Sequence, residues 1–418
     1  MQQTKLWDWE TREKALDFNH LKKRSIWLEE LRVSPDGEKL ACILGSEPSV
    51  YSVWVNDGIW EKRFEKIWNL RFSPDGRLTA LVRDSEKWTL AVDGSPWNNT
   101  FDFVWNPLFS ENGEHIAVSV SRDMSYGMAI DDHPWPQWFD NLSNPVLSRD
   151  GSTAAATVQV SGFKEGDIES YQKGLFSLAK DGRVWESRFV NAWKSAISPD
   201  NSTVAVEVRV TLYEYTIAVN GRVWTNTFES VWEPVFHPLK SSVLAPVRMN
   251  GFWTLAENGA PIWKRRYFQL WHPFFSPDGR KLAAIVAPAF GKWTIAVHDT
   301  PWEIAFTDLV TDPVFSPDST RIALIAKHKG VYLLVVNGIP WKTGFDRIWT
   351  PVFSADSRHV GARVGKNGKQ AVWVNDRPVT AECDAAWDPV FCPNQGKILL
   401  KTQVGGIFYR RVLSVDEI

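Results

Sequence analysis

Short apolar runs separated by turn signals recur along the whole chain. Residues 68–101 show the pattern: WNLRFS, then Pro74-Asp75-Gly76, then RLTALV, KWTLAV, the pair Asp93-Gly94, and PWNNTF. Runs of about five to eight residues have the length of strands rather than helices. Pro, Asp and Gly in that order suit a tight turn, since Pro presets φ and Gly accepts a positive one. The second pair returns as Asp-Gly or Asn-Gly at Asp93, Asp181, Asn220, Asn258 and Asn337, a two-residue hairpin signal. Each unit therefore reads as four short antiparallel strands.

The units are in register. An anchor residue before the first turn appears at Ser34, Ser73, Ser110, Ser148, Ser198, His237, Ser276, Ser316, Ser354 and Cys392, spaced 39, 37, 38, 50, 39, 39, 40, 38 and 38 residues apart. A period near 39 fits a propeller blade better than the roughly 33–34 residues of ankyrin or tetratricopeptide units. The fold expected is all-β: a single closed β-propeller of about ten four-stranded blades. Because about four to eight blades is the common range, two smaller propellers split near residue 209 are the alternative. Residues 27–418 form the propeller in this reading. The tenth unit supplies only three strands, so residues 1–26 are assigned as the segment closing the ring.

An aromatic ladder of spacing four accompanies the repeat: Trp60/Phe64/Trp68, Trp97/Phe101/Trp105, Trp185/Phe189/Trp193, Trp224/Phe228/Trp232 and Trp341/Phe345/Trp349. Prolines fall three residues before the anchors, at Pro107, Pro145, Pro234, Pro273, Pro313, Pro351 and Pro389, which places the anchor strand at a sheet edge. Pro96, Pro134, Pro301 and Pro340 mark the opposite edge. The chain holds 24 Trp against 4 Met. Aromatics in constant register are read as packing between blades. Burying one removes about 200 Å² from water, worth about 5 kcal/mol before entropy.

Net charge is −2, with basic residues unclustered, which argues against nucleic acid as partner. Cys42, Cys383 and Cys392 form no CxxC motif. The charged N-terminus lacks a secretory pattern, and no apolar run is long enough to span a bilayer, so a cytoplasmic protein without direct membrane insertion is expected.

Candidate chemistry is sparse. Four residues before each anchor stands a polar residue: Glu30, Asn69, Asn106, Asn144, Lys194, Glu233, His272, Asp312, Thr350 and Asp388. On a channel-lining strand these would ring one mouth of the central hole. Glu233, His272 and Asp312, from successive units, are the candidates for a metal or an acid–base set; a row of polar residues facing water is the reading preferred over it. No nucleophile elbow, phosphate loop or zinc-protease motif occurs. The fourth unit is longer by the stretch VSGFKEGDIESYQKG, expected as a projecting loop whose Phe163, Lys164 and Tyr171 could contact a partner.

The Ser-Pro-Asp-Gly turns at Ser34, Ser73 and Ser276, each followed by an apolar strand, resemble the WD40-like repeats of TolB-type propellers. With the P-W-x-x-x-F-x-x-x-W-x-P-V-F-S unit and the tryptophan content, the chain is similar to the tryptophan-rich D subunit (TmcD-like) of the transmembrane Tmc redox complex of sulfate-reducing bacteria. That resemblance implies a non-catalytic scaffold subunit without cofactors, peripheral on the inner face of the cytoplasmic membrane. Its partners would be an iron–sulfur heterodisulfide-reductase-like subunit and a b-type membrane cytochrome. The alternative is a propeller enzyme or small-ligand or metal binder using the polar channel mouth.

Overall fold

A computed structural model describes residues 3–21, 26–162 and 168–418. Its strands form ten antiparallel sheets in which sequence neighbours pair, the topology of a ten-bladed β-propeller. Blades 1 to 10 begin at Trp27, Lys66, Phe103, Asn141, Asn191, Ser230, Gln269, Leu309, Arg347 and Ala385. The chain divides into two compact units: residues 49–52 with 60–273, holding blades 2–6, and residues 1–48, 53–59 and 274–418, holding blades 8–10.

Blade 2 shows the plan: Lys66–Phe72, Leu78–Asp84, Lys87–Val92 and Ser95–Pro96, paired in that order. The second strand is the most buried, with Leu78 to Val82 inaccessible, because it lies inside the sheet with a paired strand on each edge. The outermost strand is shorter than the sequence suggests. It covers two residues, and the rest of PWNNTF is a connecting segment in which Phe101 alone bridges back to Trp88. Proline at this edge lacks no ladder bond.

In blade 10 the strand Lys397–Val404 pairs with Ile407–Ser414, and Glu13–Asp17 adds antiparallel to the latter, with Glu13 opposite Arg411 and Asp17 opposite Ile407. The N-terminal strand thus covers an edge that would otherwise expose unpaired backbone. In the fourth blade the insertion is more than a loop, since Ile168–Lys173 is helical.

Both turn signals have a side-chain explanation. Ser276 Oγ donates to Asp278 Oδ1 (2.5 Å) and accepts from Lys281 N (2.9 Å), while Asp278 Oδ1 accepts from Arg280 N (3.1 Å). The same net recurs at Ser34 and Ser316. At the hairpin, Asp93 Oδ1 accepts from Leu78 N (2.9 Å) and Asn337 Oδ1 from Ile322 N (2.8 Å), tying the turn to the start of the second strand. Gly94 at φ +87 lies against the Trp60 indole, and its missing Cβ would stand 3.1 Å from Trp60 Cγ. A side chain there would displace the ring.

The three aromatics of the ladder do different work. The middle ring is buried: Phe64, Phe101, Phe228 and Phe345 are each no more than 6% exposed. It bridges an aromatic on the third strand of its own blade and packs into the next. Phe101, for example, joins Trp88 and Leu90 of blade 2 to Val118 and Val120 of blade 3. The last Trp is half-buried or exposed and lies against its own third strand, as Trp232 does on Trp253 (centroids 5.4 Å, 10° between planes).

Candidate functional site

The polar row has a backbone cause. Each first strand of blades 1–5 and 8 carries a register shift at this position, between Trp105 and Leu108 in blade 3, for instance. Glu30, Asn69, Asn106, Asn144 and Asp312 occupy it in blades 1–4 and 8 with φ between 49 and 55°, and His272 has φ 50° at the equivalent place in blade 7; Lys194 of blade 5 is outside that region. Asn, Asp and His are the side chains that tolerate the left-handed region best, and bulges collect such residues. The following proline has no N–H to lose there. In blades 6, 9 and 10 the residue is Glu233, Thr350 or Asp388. There the first strand is instead interrupted, as between Ser230–Val231 and Val235–Phe236.

Of the candidate triad, the structure brings Glu233 and His272 together, with Nδ1 of His272 3.9 Å from Glu233 Oε1. Lys194 Nζ donates to the other oxygen, Oε2, at 2.6 Å. His272, then Lys194, hold the Glu233 carboxyl down to about 2. Asp312 has different partners, accepting from Thr311 Oγ1 and Thr350 Oγ1 at 2.9 Å each. Among the described residues no group of three or more His, Cys, Asp or Glu is placed to hold a metal.

A fourth member escaped the sequence pattern. Glu207, in the middle of the second strand of blade 5, is 8% exposed, and no hydrogen bond to its carboxyl offsets that burial. Burial, then the charge of Glu233, push its carboxyl up to about 7, against the opposing pull of Lys194. Only its position could have revealed it: nine residues past the anchor, where blades 7 and 8 carry Ile285 and Ile325. Two carboxyls whose titrations are driven apart can divide acid and base roles. Beside Glu233 lies a cleft of about 310 Å³ lined also by Asn144, Lys194, Ser195 and Pro234, and Ser195 Oγ is buried with no partner among the described residues.

No family model and no curated protein matches the chain. Among solved structures it is similar to a eukaryotic initiation factor, at 14% identity over 85% of this chain and 95% of that one, with a TM-score of 0.49. It is also similar to the β-propeller domain of Myceliophteria thermophila Cps50 (Swd1), at 12% identity over 73% and 98%, TM-score 0.31. A third is a putative TolB from Agrobacterium tumefaciens, at 17% identity over 44% and 73%, TM-score 0.27. Scores this low carry no functional argument.

Of the insertion's candidate contacts, Phe163 and Lys164 lie outside the described residues. Tyr171 is half-buried on the helix Ile168–Lys173. The hairpins joining second to third strands in neighbouring blades show more. Met124 in blade 3 is 90% exposed and Tyr213 in blade 5 is 82% exposed, with Met249 of blade 6 also exposed. Among the described residues no helix is long and apolar enough to cross a membrane.

Proposed function

We propose that the protein is a non-catalytic interaction scaffold whose contact surface is built from the second-to-third-strand hairpins of blades 3–6. The observation carrying this reading is the series Met124, Tyr213 and Met249, large apolar side chains left in water at neighbouring blades. Met and aromatic residues are favoured at the desolvated centre of protein interfaces, and the inserted helix with Tyr171 lies between Met124 and Tyr213 in blade order. Glu233, by contrast, has one carboxylate oxygen bound by Lys194 and the other facing the His272 ring, a poor start for catalysis.

The tryptophan-rich repeat extends the proposal to the partner. The scaffold would serve a membrane electron-transfer complex from the cytoplasmic side, touching an iron–sulfur heterodisulfide-reductase-like subunit and a b-type cytochrome while holding no cofactor itself. Affinity purification of the tagged full chain from native membranes tests this, with haem and iron–sulfur proteins expected to co-elute. The double substitution Met124→Ser, Tyr213→Ser should weaken that capture at least tenfold without changing the melting temperature. A lone monomer in the eluate would refute it. A second reading, a small ligand bound in the cleft beside Lys194 and Glu233, is favoured by Ser195 Oγ, a lining residue's hydroxyl that is buried with no partner among the described residues.

A further inference from the structure

The segments that join one blade to the next share a plan, and the one after blade 6 departs from it twice. Three residues precede each bridging residue, and elsewhere they hold at most two basic side chains, as Lys62 and Arg63 beside Glu61. After blade 6 they are Lys264, Arg265 and Arg266, all exposed. The residue that follows the bridge is acidic in six of the nine segments. That acid serves the fold: Asp102 accepts from Asp123 N and Asp346 from Asn367 N, both at 2.7 Å and both at a hairpin tip. After blade 6 the position holds Phe268, 47% exposed, its ring edge to face with Phe252 at 5.7 Å between centroids. Ile262, 40% exposed, lies at the other end of the cationic run. Trp263 and Tyr267 are buried, and Tyr267 exchanges backbone hydrogen bonds with Trp253, so the segment is fastened to its blade while these five side chains face water.

We propose that this segment is a contact for an anionic lipid surface, with Lys264, Arg265 and Arg266 at the headgroup phosphates and Ile262 and Phe268 at the acyl boundary. The inference deepens the reading of a scaffold on the cytoplasmic side of a membrane, and rests on that reading for the membrane's presence. Packing roles recur with the blades, whereas a run of cations and an exposed ring found at one blade serve no contact that the others need. Basic side chains flanked by exposed apolar ones suit the interface of an anionic bilayer, each cation strengthening the contact about fivefold. An acidic protein segment adding as a strand would need an open sheet edge. The outermost strand here is Ala260–Pro261, and Pro261 has no N–H to offer. Arg248 of the same blade adds little, since Glu229 faces it at 3.7 Å.

Co-sedimentation of the full chain with phosphatidylcholine vesicles containing about 30% phosphatidylserine tests the surface. Binding at least tenfold tighter than to phosphatidylcholine alone is expected, and it should fall as added salt screens the charges. The triple change Lys264→Gln, Arg265→Gln, Arg266→Gln should weaken it by on the order of a hundredfold. Phe268→Asp, which puts back the acid of the repeat, should weaken it at least tenfold. Hydrogen exchange of the unaltered protein on the same vesicles needs no variant to fold, and the slowed amides must include those of residues 262–268. Equal binding to both vesicles, unchanged binding by the triple variant, or protection confined to other segments would each overturn the proposal. So would binding to poly-glutamate with none to vesicles, which would point to an acidic protein instead. Vesicle binding without co-eluting haem proteins supports this surface and removes the redox-complex reading; co-elution without vesicle binding does the reverse.

Discussion

Blades 5 and 10 place a charge in the same slot of the repeat, yet treat it in opposite ways. Glu207 and Lys401 both stand nine residues past their anchors, Ser198 and Cys392, in the middle of the second strand. Lys401 is 6% exposed and donates to Pro35 O at 3.0 Å, with the charges of Asp388 and Asp36 in its favour. Beside it Arg410, directly opposite in the ladder, is 1% exposed. It donates from Nε to Asp36 O (2.9 Å), pairs with Glu38 at 2.9 Å and reaches Asp8 O. The turn of blade 1 and the N-terminal segment thus close over two cations, each held by a backbone carbonyl of blade 1, while Arg410 Nη1 is buried with no partner among the described residues. Glu207 has no such partner, and its nearest named acid repels it. A buried charge that fastens two pieces of chain is a structural bolt; one left without a bond is a strained group that protonates.

The largest effect expected from breaking this contrast is at the bolt. Arg410→Ala removes the guanidinium that joins Asp8, Asp36 and Glu38, and should lower the unfolding free energy by about 3–5 kcal/mol in urea titrations. Glu207→Gln should act in the opposite direction. The Glu207 carboxyl titrates above its unfolded value, so the folded state holds the extra proton between the ordinary carboxylate range and about pH 7. This residue's contribution is therefore most favourable at low pH and is lost as pH rises through 7, by about 3 kcal/mol over that window. The glutamine variant should be more stable than the parent at pH 8 and lose that advantage at pH 4.5, as read from paired unfolding curves.

Lys401 has the reverse sign. Burial lowers it to about 8, so the folded state binds fewer protons than the unfolded chain above that pH. Its contribution rises from pH 8 toward the ordinary lysine range, and Lys401→Met should remove that rise while leaving the acid side unchanged. The smallest effect concerns the polar row. Asn106→Ala, at φ 50°, should cost about 1–2 kcal/mol through the left-handed backbone alone, whereas Thr350→Ala, outside that region, should cost less than the Asn106 change. Equal losses would mean the row is held by side-chain bonds rather than by bulge geometry.

Legibility in the sequence followed the range of the interaction. The period, the Ser-Pro-Asp-Gly turn, the Asp-Gly hairpin and the prolines at the sheet edges are local, and each appears where the repeat places it. The aromatic ladder was legible as packing, but the division among its members was not. Phe101 bridges and is buried, while Trp105 of the same ladder is only half-buried, lying beside Tyr126 at 6.0 Å. The polar row was visible as a row, yet its cause, a bulge with φ near 50° at Asn106 and its equivalents, is a backbone property that residue types only hint at.

By itself the sequence determined the number of blades, the strands within them and the turns between them, because these rest on contacts within about 40 residues of chain that recur ten times. Tertiary structure alone decided which charges are buried and what answers them. Glu207 feels the charges of Glu233 and Lys194 on other strands, and Arg410 meets Asp8 from the far end of the chain. Desolvation depends on every neighbour at once, and those neighbours are distant along the chain.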